Sequence, residues 1–185
     1  MRTLCTLQSA IDTMHDGYLF TLGICGTASG SSPAPALIGA MLRAIPPVKR
    51  AALLGEVLLL DDPTIFADPL RETVLADIRD AELLLIVSPL RSGRLPGRLT
   101  QLLKVAAEMP LGGKHALVVL LGTAEDRLRT AEHVISRLIE PSGMHIIETL
   151  TASDELISPT EQAAIEAATL RAYQVARALR SDLLP

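Results

Sequence analysis

From residue 18 onward, short apolar runs alternate with longer stretches in which apolar positions recur every three or four residues. The runs are YLFTLGIC (18–25), ALLGEVLLL (52–60), ELLLIVS (82–88), HALVVLL (115–121) and MHIIETL (144–150), and the amphipathic stretches cover 33–44, 69–79, 98–107, 126–140 and 160–181. Short, nearly continuous apolar runs suit strands buried on both faces, and strands that alternate with helices pair in parallel. The pattern predicts five strands and five helices in a single three-layer α/β domain over 18–185. No repeat or linker interrupts it. Residues 1–17 lack such a period and read as an N-terminal arm or leader.

Punctuation agrees with the pattern. Ser32 is placed to cap a helix whose first position is Pro33, Asp68 to cap one that begins at Pro69, and Ser158 or Thr160 to open a last helix with Ile165, Leu170 and Val175 on its apolar face. In a parallel sheet of this kind ligands bind beyond the carboxyl ends of the strands, where the strand order reverses. That directs attention to the turns at 26–32, 88–97 and 122–127, all rich in small or polar residues.

The first turn, GTASGSS, excludes several chemistries. It lacks the Lys of a phosphate-cradling Walker loop and the spacing of a dinucleotide G-x-G-x-x-G. A phospho-receiver domain would place acidic residues after the first and third strands, where this chain has Cys25-Gly26 and Ser88-Pro89. A Gly/Ser/Thr loop that feeds a helix start remains, and such a loop reads either as an anion site or as a tight turn capped by Ser32.

Composition narrows the choice further. The net charge of -4 excludes a nucleic-acid-coating protein, and no apolar stretch reaches the roughly 20 residues of a membrane span. Cys5 and Cys25 make no disulfide framework and the first residues lack a secretory pattern, so the expectation is cytoplasmic. The four histidines show no metal spacing; His115 and His145, at strand starts, are expected to be packed or hydrogen-bonded, and Cys25 to be a core residue. Arg91, Arg94 and Arg98 cluster in the second turn, either docking an anionic group such as a nicotinamide-cofactor phosphate or pairing with nearby carboxylates. With only Tyr18, Phe20, Phe66 and Tyr173 as aromatics, ring stacking has few candidates.

Two motifs carry a resemblance. Gly26, Thr27, Ser32 and Leu37 fit the first-loop pattern G-S-x-R-x-x-S-x-T-x-x-L, and Pro89, Gly93, Pro96, Gly97 and Leu99 fit the second, P-x-Y-x-G-x-x-P-G-x-L-K, of the NADPH-dependent FMN reductase family. The run LGGKHALVVLLGTAEDRLRTAEHVISRLI is similar to that family's fourth strand and following helix, particularly among flavin reductases that serve sulfonate monooxygenases. The resemblance covers about residues 18–150. It implies a flavodoxin-like α/β/α sandwich with a parallel five-stranded sheet in the order 2-1-3-4-5, assembled as a homo-dimer or tetramer. It also implies hydride transfer from NADPH or NADH to FMN, with reduced FMN passed to a monooxygenase, and no catalytic side chain or metal. Thr27 and Ser32, with Ser29 and Ser31 beside them, would hold the FMN phosphate. Pro89, Leu90, Arg91, Ser92 and Gly93 would run along the isoalloxazine ring, and Gly122 and Thr123 would line its other side. Phe66 would approach a neighbouring subunit's flavin, or else plug the core.

Seven positions depart from the pattern. The first-loop Arg is Ser29, the later Thr is Ala34, and Pro33 and Pro35 have no amide hydrogen. In the second loop the aromatics are replaced by Arg91 and Leu95, and the Lys by Thr100. Three readings stay open at this stage: FMN as a passing substrate, a flavodoxin-like binding module that has lost FMN, and a quinone or azo reductase with FMN held tightly.

Overall fold

The computed structural model describes residues 19–26, 32–46, 50–53, 69–90, 92–123, 133 and 139–181. Five parallel strands form one sheet: β1 (Thr21–Cys25), β2 (Arg50–Leu53), β3 (Leu83–Pro89), β4 (His115–Leu121) and β5 (His145–Ala152), in the order β2-β1-β3-β4-β5. This is the order expected from the sequence. The helices between and after them are α1 (Ala34–Ala44), α2 (Pro69–Asp80), α3 (Gly97–Ala107) and α4 (Pro159–Ser181), and a short 3-10 turn at Glu140–Ser142 precedes β5. The helix expected over 126–140 lies outside the described residues apart from His133, which is helical, and 139–140 at its end.

Two cores follow from the two-residue period hidden inside the apolar runs. Leu22, Ile24, Leu84, Ile86, Ala116, Val118 and Leu120 face one side with Val74 and Ile78 of α2 and Leu99, Leu102 and Leu103 of α3. Cys25, Leu83, Leu85, Val87, Leu117, Val119 and Leu121 face the other, under Leu37, Ile38 and Met41 of α1 and Ile165, Ala172 and Tyr173 of α4. Cys25 is thus the core residue expected.

Some boundaries shift. The second apolar run predicted a strand over 52–60, but β2 starts at Arg50, in register with Thr21 of β1, and 54–60 fall outside the described residues. On an edge strand the limits are set by backbone pairing with one neighbour rather than by side-chain hydrophobicity. The apolar face proposed for the last helix needs a correction. Ile165 is buried, but Leu170 and Val175 are 39% and 42% exposed. The buried stripe runs Ile165, Ala168, Thr169, Ala172, Tyr173, Ala176, the spacing that returns to one face of a 3.6-residue helix, and 170 and 175 fall beside it.

The helix starts obey the expected chemistry. The α4 start is a reciprocal capping box: Glu161 N–H donates to Ser158 Oγ (3.2 Å), and Ser158 N–H (2.9 Å) and Oγ–H (2.8 Å) donate to Glu161 Oε2. At α1, Pro33 has near-helical φ -71 and ψ -9, its carbonyl accepts from Leu37 N–H at 3.0 Å, and Ala34 N–H donates to Ser32 Oγ at 3.3 Å. Pro33, whose carbonyl accepts the first helix bond, is therefore the capping residue, and the helix opens at Ala34, one residue later than the sequence predicts; Ser32 Oγ instead holds the Ala34 amide. The cap expected of Asp68 falls outside the described residues.

Candidate functional site

The chain leaves β1 toward β2 and returns on the opposite side of β1 as β3, so the strand order reverses between β1 and β3. A crevice beyond the carboxyl ends of these strands is where this architecture takes a ligand. The backbone there is tightly tied. Gly26 N–H donates to Val87 O (2.8 Å), Leu90 N–H to Leu121 O (2.7 Å) and Gly122 N–H to Ala152 O (3.0 Å), so each strand is joined to its neighbour just beyond its last paired residues. The ends of β1, β3 and β4 consequently lie side by side, spanning two strand spacings, about 10 Å.

Glycine is required at two of these ends because the backbones approach closely. A Cβ on Gly26 would stand 2.9 Å from Ser88 Cβ and 3.1 Å from Leu99 Cδ2, and one on Gly122 would stand 3.2 Å from Leu90 Cβ. Ser88, fully buried, donates its hydroxyl to Pro89 O at 3.1 Å. Sequence reasoning did not identify this Gly26–Ser88 packing. Its only sequence signals are a glycine ending the first apolar run and a Ser-Pro pair ending the third.

The second turn has an unusual path. Ser92 and Gly93 have consecutive positive φ values of 50° and 69°, and Ser92 is the only non-glycine residue with positive φ among the described residues. Two successive left-handed residues reverse the chain tightly, at a conformational cost for the serine. Ser92 is exposed and Gly93 half-buried, whereas Pro89 and Leu90 are buried, Leu90 within the core shared with α2 and α3. Past β4, Gly122 is buried and Thr123 exposed. Ser32 is half-buried at the α1 start. The structure thus brings Pro89, Leu90, Ser92, Gly93, Gly122 and Thr123 to one edge of the sheet; Thr27, Ser29, Ser31, Arg91 and Phe66 lie outside the described residues. Of the remaining arginines of the cluster, Arg94 is exposed and Arg98 half-buried.

The positions that depart from the family pattern have structural roles of their own. Leu95 packs against the core beneath α2 and α3. The Thr100 hydroxyl donates to Pro96 O at 3.1 Å, a bond within the first turn of α3.

No acid or base with a shifted pKa stands at this edge among the described residues. The two shifted groups, Lys114 and His115, lie at the opposite, amino end of the sheet. Burial lowers both, and His145, stacked on His115 with ring centroids 6.1 Å apart, lowers His115 further. His115 is packed, as expected from its position at a strand start, whereas His145, which stacks on it, is exposed; no group of His, Cys, Asp or Glu among the described residues could hold a metal.

Comparison with known proteins adds the following. The family described as NADPH-dependent FMN reductase matches residues 22–155. None of the curated proteins matches the chain. Among solved structures, an NADH:FMN oxidoreductase in its apo form superposes with a TM-score of 0.70 at 16% identity, over 86% of this chain and 89% of that one. An oxidoreductase from Corynebacterium diphtheriae gives 0.67 at 13%, over 91% and 100%. Oxidised flavodoxin 1 from Bacillus cereus gives 0.56 at 13%, over 89% and 99%. At these identities the likeness is one of fold, and the fold is flavodoxin-like.

Proposed function

The chain belongs to the NADPH-dependent FMN reductase family, and on that premise we propose that it passes a hydride from NADH or NADPH to FMN held at the carboxyl edge of the sheet. The observation that carries the reading is the floor formed by the ends of β1, β3 and β4. It consists of backbone with Pro89 and Leu90, has Gly26 and Gly122 where larger residues would collide, and among the described residues carries no acidic or basic side chain. Such a surface fits a planar ring laid against main chain. The flavin, when bound, supplies the hydride-accepting chemistry, and the protein supplies position.

In this reading the turn at Ser92–Gly93, with Pro89, Leu90 and Arg91, borders one side of the ring and Gly122 and Thr123 the other. Thr27, Ser29, Ser31 and Ser32 serve the ribityl phosphate end. The tied amides of Leu90 and Gly122 hold the floor rigid rather than bind ligand, since both are used in bonds to neighbouring strands. Leu95 is packed on the core and the Thr100 hydroxyl is bonded within α3, so neither replaces the grip of the aromatic or the lysine in the family pattern. Flavin is therefore a substrate that enters and leaves, and reduced FMN is free to pass to a partner monooxygenase. The setting we propose is a homo-oligomer in the cytoplasm; among the described residues no helix is long and apolar enough to cross a membrane.

The test is an FMN titration of the purified protein followed by flavin fluorescence, with NADH and NADPH oxidation measured on the same sample. Saturable micromolar binding with turnover is the expected result. Absence of binding up to about 1 mM, where the binding free energy is only about -4 kcal/mol, would sink the flavin reading.

A further inference from the structure

Sheet edges in folded proteins are blunted by short strands, prolines or bare charges, because an open row of amides and carbonyls pairs with any strand that reaches it. The edge at β5 is not blunted in this way. Among the described residues β5 pairs with β4 alone, and at eight residues it is the longest described strand of the sheet. Its sequence, HIIETLTA, has no Pro, Gly or Lys, and its one carboxylate, Glu148, accepts from Arg171 of α4 at 3.3 Å. The register irregularity opposite Ala116 and Leu117 ends before Glu148, and from there to Ala152 the ladder is regular. Ala152 O accepts Gly122 N–H and so turns toward β4. By alternation along the strand Leu150 and Glu148 turn the same way, while Thr149 and Thr151 turn their amides and carbonyls to the open side. Thr149 Oγ1 is buried with no hydrogen-bond partner among the described residues, a state that costs stability.

We propose that a second copy of this chain docks along the outer edge of β5, antiparallel about a two-fold axis at Thr149, and joins the two five-stranded sheets into one. An axis perpendicular to the sheet keeps each face continuous with the same face of the copy. Thr149 then stands opposite itself, so outward amides meet outward carbonyls and the two hydroxyls come within reach of each other, a Thr–Thr pair of the kind that stabilises antiparallel strands. Glu148 stands opposite the copy of Leu150, on the same face, and no like charges oppose each other. This self-match about one residue is what selects a second copy as the occupant. The flank of α4 fits the same axis. The bond from Arg171 to Glu148 turns that side of the helix to β5, and Ala164, Val175 and Ala178, all exposed, lie within about 40° of Arg171 on a helix of 3.6 residues per turn. The flank is therefore apolar apart from Arg171, which Glu148 already holds. Because the two strands run in opposite directions, the carboxyl ends of the two sheets point apart, and each ligand edge is left open. The proposal is independent of the flavin reading.

The experiment is sedimentation equilibrium of the full chain over a wide range of micromolar concentrations, beside the variant Thr151→Lys. That substitution sets a charge on an exposed position of the open side and leaves the bonds to β4 in place. The parent is expected to sediment as an even number of chains, and the variant, with an unchanged circular dichroism spectrum, at half the parent mass. A parent that is monomeric at every concentration overturns the proposal, as it would if a segment of the same chain covered the edge. An assembly whose mass the folded variant does not change overturns it too, since the interface then lies elsewhere. A second variant holds if Thr151→Lys fails to fold. Thr149→Cys in a Cys5→Ser background, treated with a short bis-maleimide, is expected to give a covalent two-chain species, because only an axis at this residue brings the two thiols together. Absence of that species removes the axis from Thr149.

Discussion

At the scale of single residues, the carboxyl edge is governed by close approach. Gly26 is held 2.8 Å from Val87 O by its own amide while Ser88 occupies the space where its Cβ would stand. The Ser88 hydroxyl can rotate away from such a Cβ, but Ser88 Cβ at 2.9 Å cannot, so rotamer changes do not relieve the whole clash. Gly26→Ala is expected to cost about 1–3 kcal/mol, the range for overpacking a filled site. Urea denaturation would measure the loss. If the clash with Ser88 is the cause, adding Ser88→Gly should recover part of it, giving a clear coupling term in a double-mutant cycle; strictly additive losses would reject that cause. Gly93→Val tests the turn in a different way. A β-branched residue at φ 69° is strained, so the loop path and flavin affinity should both suffer while the core, which Gly93 does not enter, stays folded. Wild-type flavin affinity in that variant would remove the Ser92–Gly93 turn from the site. The Gly26–Ser88 contact was invisible in the sequence because it joins positions 62 apart, and only parallel pairing of β1 with β3 brings them together.

At the scale of elements, much was legible because the signals were local. The run HALVVLL between Lys114 and Gly122 matches β4 residue for residue, since a central strand buried on both faces is apolar throughout. The cap at Ser158 was readable for the same reason, being settled within three residues. Edge strands were not: β2 begins at Arg50 and β5 extends to Ala152, where pairing with Leu121 carries it beyond the predicted end. The amphipathic stripe of α4 was misplaced because alanine buries without announcing itself, and four of its buried positions are Ala168, Ala172, Ala176 and Thr169. With so modest a buried face, that helix leans on its start. Ser158→Ala removes the Oγ that accepts Glu161 N–H and donates to Glu161 Oε2, leaving only the Ser158 N–H bond to Glu161, and is expected to cost about 1 kcal/mol, a fall of about 2–4 °C in Tm for a chain of this length. A scanning calorimetry trace unchanged from wild type would mean that the α4 start frays already.

At the scale of the whole molecule, the two ends of the sheet are chemically opposite. The carboxyl edge, where flavin would lie, has a floor without acidic or basic side chains among the described residues. At the amino edge, Glu82 binds Arg180 of α4 through Oε1 to Nε (3.1 Å) and Oε2 to Nη1 (3.3 Å), and Oε2 also accepts Phe20 N–H (2.9 Å). Beside it Lys114 donates to Ala81 O (2.7 Å), near Asp80, and His115 stacks on His145. Because burial and the neighbouring His145 outweigh the hydrogen bond with the Glu82 backbone, the folded pKa of His115 lies below the unfolded value of about 6.5. The unfolded chain then binds the proton more readily. Stability is fully present above about pH 6.5 and is lost as the pH falls from there toward the lowered folded value, below which the His115 contribution to the slope vanishes. Burial lowers Lys114 below its usual 10.5 as well, so any slope it adds has the same sign, and comparing His115→Gln with the parent isolates the His115 share. His115→Gln should therefore flatten the fall in urea midpoint between pH 8 and pH 5.5, and an unchanged pH profile would dismiss His115 as its source. The separation of the two ends gives the last expectation. A phosphate monoester takes up its second proton near pH 6, so a site that gripped the FMN phosphate would stabilise the fold by different amounts at pH 8 and pH 5.5. A site that holds only the ring, at the end of the sheet remote from His115, should raise Tm by the same increment at both pH values and with either flavin. Thermal melts with FMN and with riboflavin at the two pH values distinguish these cases, and an FMN increment that shrinks at pH 5.5 while the riboflavin increment does not would mean that the site grips the phosphate.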